Sequence, residues 1–317
     1  MHIYGPVPSR RLGYSLGVDI LPSKTCSLDC IYCQLGHTDK KTVQRKKYFD
    51  VDSILSQIKN AIAAGHRIDY ITFSGSGDPP LNVFIGKLIQ EIKKNTSIPV
   101  AVLTNGTLLL HQSVRHALSN ADLVVPSLDA ATQEIFERVN RPHPSLKIRQ
   151  VLEGLKNFRQ EFCGKIWLEI LFVKGMNDSP AHLKKLKKAV AEINPDKIQL
   201  NTVIRPPVEK SALALNYQEL EKIREFFGTK AEIVAEFDKI RHRPESRDLK
   251  DAILAMVARR PVTLADMSKS LGKHKNELNK YCDILLMEGK IRIVIHEGKK
   301  FFKSQKQKNK RAMKDKK

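Results

Sequence analysis

The segment YSLGVDILPSKTCSLDCIYCQLG, residues 14–36, joins a short apolar run to a loop that contains three cysteines. The run YSLGVDI (14–20) lacks strict alternation of polar and apolar residues, which predicts a strand buried on both faces. Cys26, Cys30 and Cys33 follow just after that strand. Ligands of parallel α/β sheets bind at the carboxyl ends of the strands, so this loop lies where a functional site is expected.

Strand-like runs and helical patterns alternate from residue 14 to residue 202. The other candidate strands are IDYITFS (68–74), IPVAVLT (98–104), ADLVVPS (121–127), KIWLEILFV (165–173) and DKIQLNTVI (196–204). The helical patterns cover 51–64, 81–94, 108–119, 131–139, 146–161 and 180–193, and a further helix (216–227) and strand (231–235) follow. Six strands with helical crossovers predict an α/β fold, either an open doubly wound sheet or part of a (β/α) barrel.

The last quarter of the chain has a different pattern. DKIRHRPESRD (238–248) is charged and contains a proline, which predicts a linker. Beyond it, three helical segments precede KIRIVIHEGKKFF, which is typical of a hairpin turning at Glu297–Gly298. Three helices and a hairpin predict a winged helix-turn-helix. The predicted segments are a main domain at 1–240, the linker at 241–247, the winged helix-turn-helix at 248–303 and a basic disordered tail at 304–317.

The formal net charge of +21 is unevenly distributed. Residues 241–317 hold 22 Lys and Arg against 9 Asp and Glu, whereas the first 240 residues hold 33 against 25. A basic excess of this kind favours a polyanionic partner such as nucleic acid, and a solubilising tail is the alternative. No signal peptide and no apolar run of about 18–20 residues is present, so we expect a cytoplasmic protein with no membrane partner.

The five cysteines are expected to be metal ligands or buried thiols, because disulfides are rare in a reducing cytoplasm. Three thiolates this close can bind three corners of a [4Fe-4S] cube and leave the fourth iron open to a chelating substrate. The spacing alone also permits a closed zinc site with His37 as the fourth ligand. Cys163 and Cys282 stand apart, and we expect both to be core thiols.

Three other predicted strands end in small or polar residues. These turns are SGSGDPP (74–80), LTNGT (103–107) and PSLDA (126–130). Each alone fits an ordinary turn between a strand and a helix. Because they share one edge of the sheet with the cysteines, together they predict a single ligand site.

The Cys-x3-Cys-x2-Cys loop, with Tyr32 before its last cysteine, resembles the radical S-adenosylmethionine (SAM) superfamily. Five segments narrow the resemblance to its wyosine-synthetase-like branch. They are YGPVPSRRLGYSLGVDILPSKTCSLDCIYCQLG (4–36), FSGSGDPPLN (73–82), LDAATQEIFERVNRP (128–142), FVKGMNDS (172–179) and QLNTVIRPP (199–207). We therefore expect a partial (β/α)6 TIM-like barrel followed by the small winged helix-turn-helix.

The resemblance implies that the three cysteines bind a [4Fe-4S] cluster, whose open iron binds the amino and carboxylate groups of SAM. An electron from the cluster, supplied by a low-potential donor, then splits SAM into methionine and a 5′-deoxyadenosyl radical. The protein itself positions the reactants and excludes water. The implied cofactor-binding residues are Ser74, Gly75, Gly77 and Asp78 at the methionine amino end, Asn105, Ser127 and Asp129 along the ribose and sulfonium, and Tyr32 near the adenine.

The sequence departs from the family pattern in three ways. Asp78 stands where the superfamily usually has Glu, which is one methylene longer. Wyosine synthetases proper bind a second cluster through three further cysteines, and only Cys163 and Cys282 remain here. Imidazoline ring synthesis on tRNA is therefore not inferred. A winged helix is also absent from the core wyosine-synthetase pattern.

Several basic residues are candidate substrate contacts. Arginines near the first and last strands could bind an anionic substrate or form surface salt bridges, and Lys174 could contact the cofactor, a substrate or only solvent. Residues that open the third helix of the winged helix occupy the position of a recognition helix. The candidates are Arg10, Arg11, Arg205, Lys273, Lys275 and Asn276.

These patterns lead to three hypotheses. The first is a radical SAM enzyme that modifies RNA, with tRNA as the leading substrate, which the winged helix would deliver. The second keeps the enzyme and replaces RNA with a protein or peptide held by the hairpin edge. The third is a non-enzymatic iron–sulfur sensor that binds DNA.

Overall fold

The computed structural model describes residues 2–9, 11–234, 249–273 and 275–305. The chain divides into two units, Met1–Lys239 and Ile240–Lys317. The predicted linker and the tail from residue 306 onward lie outside the described residues. No helix within the described ranges is long and apolar enough to cross a membrane.

The N-terminal unit is an α/β structure. Its strands are β1 (Ile3–Ser9), β2 (Gly13–Val18), β3 (Thr25–Cys26), β4 (Lys40–Lys41), β5 (Tyr70–Phe73), β6 (Val100–Thr104), β7 (Leu123–Pro126), β8 (Lys165–Phe172), β9 (Lys197–Thr202) and β10 (Ala231–Ile233). Its α-helices are α1 (Val51–Ala63), α2 (Ile85–Asn95), α3 (Gln112–Leu118), α4 (Gln133–Ile135), α5 (Ile148–Glu161), α6 (Pro180–Ile193) and α7 (Tyr217–Phe227). The main sheet has the order β1-β2-β5-β6-β7-β8-β9-β10, and β3 pairs separately with β4.

Neighbouring strands of the main sheet run parallel from β2 to β10, and only the β1–β2 pair is antiparallel. All six predicted strands are confirmed as β2, β5, β6, β7, β8 and β9. Strand β1 was not predicted, because Pro6 and Pro8 argue against a strand. An edge strand tolerates proline, and the β1 ladder is irregular between Tyr4 and Val7.

Both faces of the sheet are buried, as the absence of alternation predicted. One face packs against the helices and contributes Phe73, Val102 and Leu168, each with no exposed surface. The other face carries a smaller cluster that includes Ala101 and Val125. Burying one such side chain contributes about 1.5–3 kcal/mol.

The predicted helix 131–139 was only partly right. Thr132 caps the short α4, and residues Phe136–Asn140 then form a wide π-helical turn. Arg141 ends this turn in the left-handed conformation, with φ of 46°. Single π-turns are frequent at functional sites, and this one brings Asn140 into the interior.

The C-terminal unit consists of three helices followed by a two-stranded hairpin. They are α8 (Leu249–Arg259), α9 (Leu264–Leu271), α10 (Lys275–Met287), β11 (Ile291–His296) and β12 (Lys299–Ser304). The Thr263 hydroxyl accepts from the Asp266 amide and caps α9. Glu297 and Gly298 form the hairpin turn, both with positive φ. Met267, Leu278 and Phe302 are fully buried between these elements.

Candidate functional site

The three clustered cysteines lie on a loop after the carboxyl end of β2. The parallel β3–β4 pair closes this loop, since Thr25 and Cys26 pair with Lys40 and Lys41. Inside it, the Cys33 amide donates to the Cys30 carbonyl at 3.0 Å. The sequence motif is therefore held on a closed loop at the edge where the site was predicted.

Each cysteine sulfur accepts one side-chain N–H from elsewhere in the unit. Two donors are carboxamides and the third is an ammonium group. The pairs, each 3.4 Å apart, are Asn105 Nδ2 with Cys26 Sγ, Asn140 Nδ2 with Cys30 Sγ and Lys24 Nζ with Cys33 Sγ. Such donors stabilise charge on ligating sulfurs and orient them, so the donor set fits a cluster bound by three thiolates.

Burial disfavours the thiolate form before any metal binds. Burial, followed by the charge of Asp78, raises the pKa of Cys26 to about 12. Burial, followed by the charge of Asp129, raises the pKa of Cys30 well above its usual value. Binding a metal centre must therefore displace protons from these thiols, which couples binding to pH.

The histidine considered as a zinc ligand lies elsewhere. His37 Nδ1 is 3.4 Å from an Asp29 carboxylate oxygen, and its Nε2 is 3.8 Å from Glu209. Among residues 2–9, 11–234, 249–273 and 275–305, no three His, Cys, Asp or Glu side chains are placed to hold a single metal ion. The geometry does not support the Cys3His alternative.

The glycine-rich turn after β5 is packed tightly against its neighbours. Gly75 has φ of 138°, and a Cβ there would lie 2.5 Å from Cγ of Asp19. A Cβ on Gly77 would lie 1.7 Å from the Thr25 carbonyl oxygen. Both positions require glycine, because backbone or a buried carboxylate occupies the space of a side chain.

The same turn is anchored by two polar side chains. The Asp19 carboxylate accepts from the amide and the hydroxyl of Ser76, at 3.2 and 2.6 Å. The Ser74 hydroxyl is 2.7 Å from the Tyr4 hydroxyl of β1. These contacts hold the turn beside the cysteine loop.

Asp78 keeps one carboxylate oxygen available at this site. Its Oδ1 accepts from the Thr104 hydroxyl at 2.6 Å and the Asn105 amide at 3.0 Å. Its Oδ2 is buried and has no hydrogen-bond partner. Burial raises the pKa of this carboxyl to about 6. An unpaired buried oxygen of this kind suits a cationic ligand group such as an ammonium.

A partly open cleft lies beside the cysteine loop. It is lined by four of the predicted cofactor-binding residues, together with apolar residues and Asn140. The four are Tyr32, Asn105, Ser127 and Asp129. A cleft with mainly apolar walls and a few polar groups is typical of a small-molecule site.

Asp129 organises one wall of this cleft. Its Oδ2 accepts from Asn140 Nδ2 at 2.7 Å and from the Tyr32 hydroxyl, and its Oδ1 accepts from the Leu171 amide at 2.9 Å. Burial raises the pKa of Asp129 to about 6. The carboxyl therefore fixes the Tyr32 ring and the Asn140 amide together.

Sequence reasoning missed two residues that contact the cysteines. Lys24 precedes the motif by two positions, and Asn140 lies within one of the segments that carry the family resemblance. The signal available in the sequence was that both residues lie within segments that carry the family resemblance. Which sulfur each contacts follows from the folded chain.

The predicted substrate contacts have varied surroundings. The Arg11 guanidinium pairs with Glu169, which also accepts from Asn201, so the charge of Arg11 is already balanced. Lys174 pairs with Glu219 at 2.7 Å. Other predicted contacts are placed less fully: Arg10 and the side chain of Asn276 lie outside the described part, whereas Arg205 and Lys273 are partly exposed and Lys275 is exposed.

The two isolated cysteines differ from one another. Cys282 is a core thiol, as predicted, with its sulfur 3.6 Å from that of Met267. Cys163 is exposed, so the expectation of a core thiol was wrong there. It lies in the short connection between α5 and β8, where surface turns leave side chains open to solvent.

Comparison with known proteins identifies relatives over most of the chain. A family described as the Radical SAM superfamily matches residues 20–186. The chain is 38% identical over 299 residues to a protein named GTPase Obg from Brachyspira hyodysenteriae, covering 93% of this chain and 44% of that protein. It is 32% identical over 306 residues to a UPF0026 protein of Methanocaldococcus jannaschii, covering 94% of each. It thus spans less than half of the first relative's length.

The fold also matches a solved structure. A radical SAM methyltransferase from Sphaerobacter thermophilus aligns with a TM-score of 0.52 and 14% identity, covering 69% of this chain and 65% of that one. At this identity the match establishes similarity of fold alone.

Proposed function

The chain belongs to the radical SAM superfamily, and on that premise we propose that Cys26, Cys30 and Cys33 hold its [4Fe-4S] cluster and that the adjacent cleft binds SAM. As a radical SAM enzyme it uses both cofactors. When bound, the cluster supplies the electron that splits SAM into methionine and a 5′-deoxyadenosyl radical, which abstracts hydrogen from substrate. The supporting observation is the set of three thiols, each with its own N–H donor, beside the cleft.

Different residues of the site would bind the two ends of SAM. Asp78 Oδ2, buried without a partner, would accept from the amino group of the methionine end. The tightly packed turn at Ser74, Gly75 and Gly77 brings backbone close to that end. The nucleoside end would occupy the cleft, where Tyr32, Asn105, Ser127 and Asp129 supply polar groups.

The apolar walls of the cleft have a separate task. Leu28, Phe136, Ile148 and Val151 line it. Excluding water protects a reactive intermediate from side reactions. Positioning and shielding are thus the contributions of this chain, and the electron comes from a low-potential donor.

We place the chain in the wyosine-synthetase-like branch on the quoted segments, with a partial barrel and a C-terminal winged helix. A second cluster is not part of the proposal, because Cys163 is exposed and Cys282 is buried in the other unit. Ring synthesis of the wyosine type is therefore not proposed.

The proposed substrate is RNA, with tRNA first. The support is the basic excess of residues 241–317, where 22 Lys and Arg stand against 9 Asp and Glu. Lys275 begins α10, the position of a recognition helix in winged helices, and Lys273 lies two residues before it. The enzymatic family assignment argues against the non-enzymatic sensor.

A protein substrate is the second candidate, and the hairpin of the C-terminal unit favours it. Strand β12 contacts Val262 on its far side, whereas the outer edge of β11 has no strand partner within 249–273 and 275–305. On β11, Ile293 is 40% exposed and Ile295 is 64% exposed. An open edge with exposed apolar side chains can add a peptide strand.

The enzyme assignment is tested by anaerobic reconstitution followed by reduction with dithionite. We expect bound iron and sulfide, and 5′-deoxyadenosine formed from SAM, measured by liquid chromatography. Zinc in place of iron and sulfide, with no 5′-deoxyadenosine, would contradict the assignment.

The substrate class is tested by tRNA affinity at several salt concentrations. Replacing Lys275 with Ala should lower the slope of log affinity against log salt by about one unit, because one phosphate contact is lost. Ile295→Ser is the matched variant on the hairpin; it adds no charge and should leave tRNA affinity and its salt slope unchanged. The protein alternative predicts the reverse, with a salt slope that Lys275→Ala does not alter and loss of substrate modification in Ile295→Ser.

A further inference from the structure

Lys24 is an unusual residue two positions before the first cysteine. Its side chain is buried, with 4% of the residue exposed. Its backbone has φ of 58°, a left-handed conformation that is unfavourable for a non-glycine residue. The Lys40 amide donates to the Lys24 carbonyl at 3.1 Å and helps to hold it there. The unfavourable backbone conformation at this position thus directs the lysine side chain into the interior.

The Lys24 ammonium group reaches one of the proposed cluster ligands. Its Nζ lies 3.4 Å from Cys33 Sγ. Within the described ranges no Asp or Glu forms an ion pair with it. Burying a cation without a counter-charge costs free energy. The negative charge that can balance Lys24 therefore has to come from the Cys33 sulfur.

The three cysteines are not equivalent in this respect. Cys26 and Cys30 accept from neutral carboxamides, and each lies near a carboxyl group, Asp78 and Asp129 respectively. Cys33 alone among them accepts from a cationic side chain. Of the three cysteine sulfurs, Cys33 is therefore the one that lies beside a positive charge.

We propose that Lys24 raises the reduction potential of the cluster by placing a buried cation against the Cys33 sulfur. This inference depends on the proposed function, because it requires the cluster to be bound by these cysteines. A thiolate-bound cluster becomes more negative when it accepts an electron, so a nearby cation stabilises the reduced form more than the oxidised form. Hydrogen bonds to the sulfurs and net charge are the features by which proteins set such potentials. Lys24 is thus a positioning residue that acts through Cys33.

The test is the midpoint potential of the reconstituted full-length protein without SAM, measured by a redox titration followed by electron paramagnetic resonance. Lys24→Met removes the charge at similar length and should shift the potential to a more negative value. Lys24→Arg keeps the charge and should restore most of the wild-type potential. Lys59→Met removes an exposed lysine from α1 and should leave the potential unchanged.

Iron and sulfide content is measured for every variant. If Lys24→Met does not bind a full cluster, Lys24→Gln provides the neutral comparison with Lys24→Arg. Equal potentials for the wild type, the neutral variant and Lys24→Arg, all with full clusters, would overturn the proposal for Lys24 and leave the enzyme assignment intact. A wild-type protein that binds no cluster would overturn the proposed function itself.

Discussion

The two units differ in what their interiors contain. The N-terminal unit buries charged and amide side chains such as Lys24, Asp78, Asp129 and Asn140. In the C-terminal unit, Ser270 is the only polar residue among the buried ones that the structure describes. Burying polar groups costs free energy unless they are partnered, so folding alone does not account for them. Their concentration in the N-terminal unit supports the proposed site there.

Cys30 and Cys282, one in each unit, both have a raised pKa and show the same contrast between the units. Burial raises the pKa of Cys30 in the first unit, and of Cys282 in the second to about 11. Cys30 has an amide donor, Asp129 and two further cysteines nearby. Cys282 has Asp283 and Lys300 nearby and contacts the Met267 sulfur, with no second cysteine among its neighbours in the described part of the chain. Burial alone therefore does not identify a ligand, and the surrounding groups do.

The largest effect is expected when Cys30 and Cys282 are replaced by alanine, one at a time. Cys30→Ala should abolish iron and sulfide binding and reduce 5′-deoxyadenosine formation to background, because the proposed cluster would lose one of its three ligands. Cys282→Ala is the matched control and should retain both. Iron, sulfide and 5′-deoxyadenosine are measured on the same preparations. Full iron content in Cys30→Ala would contradict the proposal that Cys30 is a cluster ligand and Cys282 is not.

A stability effect confined to the C-terminal core comes next. Phe302 is fully buried there, so Phe302→Ala should lower the free energy of unfolding of that unit by about 3–5 kcal/mol. Denaturant unfolding followed by circular dichroism measures the loss. SAM cleavage without macromolecular substrate should be unchanged. A comparable loss of cleavage would show that the second core also supports the chemistry.

The smallest effect is a pH dependence that originates in the polar interior. Burial raises the pKa of Asp78 from 3.8 to about 6, so between these values the folded cluster-free protein binds a proton that the unfolded chain has released. Its contribution to the free energy of unfolding therefore falls as pH rises through this window, by on the order of 3 kcal/mol.

Asp78→Asn should remove that fall, as measured by denaturant unfolding at several pH values between 4 and 7. Glu153→Gln, at an exposed position on α5, is the control and should leave the pH dependence as in the wild type. Parallel curves for the wild type and Asp78→Asn would show that Asp78 is not titrating in this window.

Local patterns predicted most elements of the fold. The six central strands and the hairpin followed from apolar runs and turn residues, because those signals lie within a few positions of each other. Strand β1 escaped detection because its prolines are tolerated only at an edge, and edge position is a property of the assembled sheet. The π-helical turn at Phe136–Asn140 was read as regular helix, since the periodicity of apolar residues does not register one wide turn.

By itself, the sequence determined the cysteine spacing, the order of strands and helices, and the cluster of turns at one sheet edge. Only the tertiary structure decided which donor meets which sulfur. Asn105 contacts Cys26 across 79 positions, and Asn140 contacts Cys30 across 110. The physical reason is that such pairs meet only once parallel strands bring their carboxyl ends together, and no local pattern encodes a contact over that separation.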